Sequence, residues 1–162
     1  MDNINTTATT GEPITEQAPA VDTPSTTPAT GLPDGYLADG FLETASTGKP
    51  FLRAVYVGTF AQQIATILRP MSASAFQTAF LRDVKRHIRR GVPYEAQTAC
   101  AAAMLPQAIK LTAKHKAPSV LVDIITAAVG AVHDSVTFEA MYKHLDAIYA
   151  FMLQAQQNGG DT

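Results

Sequence analysis

The sequence predicts an all-α domain, a compact antiparallel bundle of about five to six helices behind a disordered N-terminal arm. Three observations carry this. From Pro50 onward, apolar residues recur at three- and four-residue intervals. Proline and glycine cut that pattern into pieces of roughly 10 to 20 residues. No well-populated run shows the period-two alternation of a half-buried strand.

The elements follow in order. Residues 1–48 hold 11 Thr, 5 Pro and 5 Gly with almost no large apolar side chain before Leu32. Such a segment buries too little surface to offset its ordering entropy, and it is expected to be a disordered arm. Leu32, Tyr36, Leu37, Phe41 and Leu42 make its last part less polar, so docking there as an extended strap is the one exception considered. The folded domain is placed at 49–157 and a disordered C-terminus at 158–162. Pro50 suits a first helical turn, and Val57, Phe60, Ala61, Ile64 and Leu68 give a first helix that Pro70 stops. Ser72 or Ser74 caps the second, which carries Phe76, Phe80, Val84 and Ile88 and ends at Gly91. Pro93 opens an Ala-rich third segment to about Leu105, and Pro106 kinks it or starts a fourth reaching His115 or Lys116. Ser119 begins a fifth through Val132. Val120 to Ile125 is the one β-branched stretch, but a lone strand has no partner for its backbone. Asp134-Ser135 recaps the chain for a last helix, Thr137 to Gln156, burying Phe138, Met141, Leu145, Ile148, Tyr149 and Met152.

Charge is unevenly spread. The whole chain of 162 residues carries a formal net charge of -2, yet residues 1–48 have seven acidic and no basic side chains, leaving the remainder at +5. Any preference for an anionic partner therefore belongs to the folded domain. A single cysteine, Cys100, allows no internal disulfide and, set among alanines, reads as a small core residue. The sequence shows neither a cationic, apolar leader nor a run of about 20 apolar residues, so a cytoplasmic location and no membrane partner are expected.

Catalytic patterns are sparse. His87, His115, His133 and His144 lack the spacing that puts two metal ligands on one helix face, and each is expected at a surface or helix end. The domain's carboxylates are scattered, and no phosphate-binding glycine loop or nucleophile elbow occurs. The expectation is a non-enzyme without metal or cofactor.

The positive signal is basic. On a helical wheel Arg82, Lys85, Arg86, Arg89 and Arg90 fall within an arc of about 140°, opposite the Phe76, Phe80, Val84 and Ile88 side. Asp83 is the only acidic residue of that helix, and no i,i+4 partner neutralises the cations. Lys110 and Lys114, one turn apart, form a smaller second set. Two-thirds of the chain's basic residues lie between positions 82 and 116. A solvated face is the plain alternative, and this clustering in a chain sparing with charge sets phosphate binding level with it. No aromatic residue interleaves the cations, so backbone contact rather than base stacking is expected.

From Phe51 to Met152 the order of helices and several motifs resemble the small subunit of type III-A CRISPR-Cas effector complexes, the small all-helical member of the Csm complex. The closing stretch, Leu121 to Val132, Asp134, Phe138 and then Asp146-Ala147-Ile148-Tyr149-Ala150-Phe151, is similar to that family's last helices. Leu105-Pro106-Gln107 leading to Lys114 resembles its proline-started helix. Ser74-Ala75-Phe76-Gln77 through Phe80 and Val84-Lys85-Arg86 resembles its second. Gln77 stands where the family usually has Arg, and Lys110 where it usually has an aromatic residue. The resemblance implies a non-catalytic protein of antiviral defence, stacked in several copies beside the backbone subunits and lining the channel for guide RNA and target RNA. The competing expectation is a helical adaptor or chaperone that binds a protein partner without nucleic acid.

Overall fold

A computed structural model describes residues 31–158. It is mostly helical. A two-stranded antiparallel hairpin, β1 (Leu42–Thr44) and β2 (Pro50–Leu52), precedes α1 (Ala54–Val57), α2 (Thr59–Ile67), α3 (Ala73–Phe76), α4 (Arg82–Arg90), α5 (Tyr94–Ala102), α6 (Met104–Ala113), α7 (Val120–Gly130) and α8 (Ser135–Asn158). A π-helical turn, Gln77–Leu81, joins α3 to α4 without interruption.

Local chemistry sets most boundaries. Ser72 caps α3, its hydroxyl accepting from the Ala75 N–H at 3.2 Å. Gly91, at φ 58°, closes α4 in the left-handed conformation that glycine adopts without penalty. Pro106 sits at the third position of α6, where a missing N–H leaves no hydrogen bond unmade. Asp134 starts α8: its carboxylate accepts from the Thr137 N–H at 2.7 Å and from the Thr137 hydroxyl at 2.8 Å. Those two bonds hold the Asp134 carboxyl below its usual range.

Helix α8 is the central column. It packs against α2 most extensively and also against α1, α3, the π turn, α4 and α5, while α6 and α7 pair beside it. Phe138, Met141, Leu145, Ile148 and Met152 of α8 meet Ile64 and Leu68 of the α2 side and Phe76 and Phe80 of the α3 side in one buried cluster.

Three expectations are corrected. Pro50 does not open a helix: residues 50–52 pair with 42–44, Leu42 opposite Leu52, and the helix that follows is split at Gly58. Proline is tolerated as the first residue of this short strand because it has no N–H to leave unpaired there, and Val57, expected in the core, is exposed. Folded structure also begins well before residue 49. Tyr36 and Phe41 are buried, so the end of the expected arm is a docked strap. The remainder of that arm, residues 1–30, and residues 159–162 lie outside the described residues; Asn158 closes α8.

The third correction is His144, fully buried rather than at a surface or helix end. Its Nδ1 faces the backbone carbonyl of Tyr56, which can only accept, so Nδ1 carries the hydrogen. Nε2 is then the acceptor for the Tyr36 hydroxyl at 2.9 Å. Tyr36, Phe41 and Tyr56 enclose the imidazole with ring centroids 5.4 to 5.8 Å away. Tyr56 in turn accepts the Leu37 N–H at 3.2 Å, and Arg53 donates to the Leu42 carbonyl at 3.2 Å. Four aromatic rings and three hydrogen bonds from separate elements thus fasten the strap to α1 and α8.

Candidate nucleic-acid interface

All five cations of α4, Arg82, Lys85, Arg86, Arg89 and Arg90, are exposed, while Val84 from the opposite side of the helix is buried. The helix therefore packs and presents as its amphipathic pattern requires. The π turn decides how that face is aimed. Its wider ring runs from the Arg82 N–H to the Gln77 carbonyl, so Arg82 rather than Leu81 stands above Gln77. Phe80 and Leu81 are then both free to be buried, and the polar stripe from Gln77 continues through Arg82 into Lys85 and Arg86.

Helix α4 separates two grooves. The first, of about 460 Å³, lies between α4 and α8. All five α4 cations line it, together with Gln77 and Thr78 of the π turn and Tyr142 and Asp146 of α8. The second, of about 740 Å³, lies between α4 and α6 and includes Arg82, Asp83, His87, Gln107, Lys110 and Lys114. The structure thus divides the seven expected residues. Five share one groove, Lys110 and Lys114 border the other, and only Arg82 of these lines both.

Two features were not expected from the sequence. Asp83 is not idle: its carboxylate lies 2.9 Å from Arg86 Nη2 and 3.9 Å from Arg82 Nε. The Arg86 pairing is i,i+3, one residue short of the i,i+4 spacing that leaves the cations without a partner in the sequence pattern. These contacts are exposed and weak, and they leave Lys85, Arg89 and Arg90 outside them. The second feature is Tyr142, an aromatic ring beside the cations although no aromatic residue interleaves them in sequence. Burial pushes its phenol above the ordinary value, Asp146 adds to this and Arg89 opposes it. The hydroxyl is therefore a neutral donor and acceptor at neutral pH.

Cys100 is half-buried at the α4–α6 groove, its thiol pushed up by burial and by Asp83. Among the described residues no three His, Cys, Asp or Glu side chains are grouped to hold a metal ion, and no helix is long and apolar enough to cross a membrane. Comparison with protein-family models, with curated proteins and with solved structures finds no match to the chain.

Proposed function

We propose that the chain is a non-catalytic, RNA-contacting structural subunit whose α4 face binds the phosphates of a ribonucleoprotein. The observation that carries this reading is the alignment of five exposed cations along one groove wall, with Asp146 the only carboxylate among the groove's lining residues. Phosphate oxygens suit guanidinium and ammonium donors spaced along a helix, and such contacts position a strand without reading its sequence. The resemblance of residues 51–152 to the small subunit of type III CRISPR effector complexes names the assembly in which the role would be played. Its partners there are guide RNA, target RNA, the backbone subunits and further copies of the chain.

The test is a salt titration of RNA binding by the full chain. Replacing Lys85, Arg86 and Arg89 together by Ala keeps good helix formers at exposed positions, so the melting transition should hardly move. RNA affinity should drop, and the slope of log K against log salt should become shallower by about 0.7 per lost single-strand contact. An unchanged slope would reduce the face to a solvated surface.

A protein-binding adaptor is the second reading, favoured by Phe51, Val55 and Val57, three large apolar side chains left exposed along β2 and α1. That role predicts no RNA affinity and little dependence on salt.

A further inference from the structure

The α4–α8 groove is more than a row of cations. Its lining combines phosphate donors on α4 with a half-buried aromatic ring and a carboxylate on α8, Tyr142 and Asp146, one helical turn apart on one face. A duplex backbone would need only the first set, since base faces inside a helix are stacked and its phosphates would meet Asp146 as a repulsive neighbour. An unpaired nucleotide needs both. Its phosphate takes the exposed guanidinium and ammonium groups, and its base offers a flat face to an aromatic ring and N–H groups to a carboxylate. The groove's volume of about 460 Å³ falls in the range of small-molecule sites, which begins near 300 Å³.

We infer that this groove is a single-strand site: Tyr142 stacks on an unpaired base, Asp146 accepts from that base or its ribose hydroxyl, and Lys85, Arg86 and Arg89 hold the flanking phosphates. This rests on the RNA reading above and narrows it from any phosphate backbone to an unstacked nucleotide. The neutral phenol fits the role, since a phenolate beside Asp146 would repel the strand.

The experiment uses the full chain and three fluorescent probes of equal length at low salt: a single-stranded RNA, the same RNA as a duplex, and an abasic strand with the same phosphates. The parent is expected to bind the single strand about tenfold more tightly than the abasic strand. Tyr142→Leu should weaken single-strand binding by about tenfold, leave duplex and abasic binding within about twofold, and keep the salt slope, because no charge is removed. Tyr142→Phe should keep the parent's affinity. Equal affinity of the parent for the single strand and the abasic strand overturns the inference without any variant having to fold. So does single-strand binding that survives Tyr142→Leu in a chain whose binding the Lys85, Arg86 and Arg89 triple substitution abolishes; the RNA reading then stands and the stacking site falls. If the parent binds none of the probes, both fall together.

Discussion

The hydroxyl of Tyr36 donates to Nε2 of His144 at 2.9 Å across 108 residues of sequence, and both side chains are buried. This bond ties the strap to the central helix, and burial keeps the imidazole neutral.

The first expectation concerns pH. Burial lowers the His144 pKa to about 4 from an ordinary 6.5, so the unfolded chain takes up the proton first as pH falls. The stabilising contribution is complete above about pH 6.5 and is lost as pH drops through 4, by about 3 kcal/mol at most. Urea unfolding between pH 7 and 4 measures it. His144→Gln should flatten the slope in that window, and an undiminished slope would assign the effect to other groups.

Loss of Phe41 should be costly for a residue outside the helices. The ring is 1% exposed and packs on Tyr56 at 5.5 Å. Phe41→Ala is expected to cost about 3 to 5 kcal/mol in thermal unfolding, as for a core phenylalanine. A cost below 1 kcal/mol would mean that the strap is dispensable.

Asp83 competes with other anions for Arg86 and, at longer range, for Arg82. Asp83→Asn should raise RNA affinity about two- to fivefold at low salt and steepen the salt slope by up to about 0.7, at a stability cost of about 0.5 kcal/mol or less. Weaker RNA binding by this variant would show that the carboxylate orients the guanidinium rather than occupying it.

His115 offers a gain. It has φ 53° just past Lys114, the residue that caps α6, where the Lys116 N–H bonds back to the Leu111 carbonyl at 3.0 Å. That closing turn is left-handed, as at Gly91, but carries a side chain that disfavours it. His115→Gly should stabilise the fold by up to about 1 kcal/mol, read as a higher melting temperature. A lower one would reveal a contact of the imidazole that outweighs the backbone strain.

The helix ends at Ser72, Gly91 and Asp134 were legible in the sequence because a cap depends on residues within a few positions of itself. The cationic face of α4 was legible for the same reason. What escaped depends on distant partners. Phe41 and Tyr36 follow a polar, Thr-rich stretch, and packing on Tyr56 and His144 makes them core residues. Tyr142 lies more than fifty positions from Arg89, so its place in the groove emerges only when α8 packs beside α4. Pro50 looked helical because proline favours a first helical turn, and pairing with Leu42–Thr44 prevailed.

The π turn between α3 and α4 can also be described by chain length. It amounts to one residue inserted into an otherwise regular helix. Removing one residue between Gln77 and Leu81 would restore a continuous α-helix with Arg82 now four positions after Gln77 and still above it, so everything beyond the turn would keep its face relative to α3. With α3 held in the core by Phe76, the five cations would still face Tyr142. A change of one codon's length is therefore absorbed within this turn, whereas a regular stretch of helix would have to rotate its whole downstream face to accommodate it.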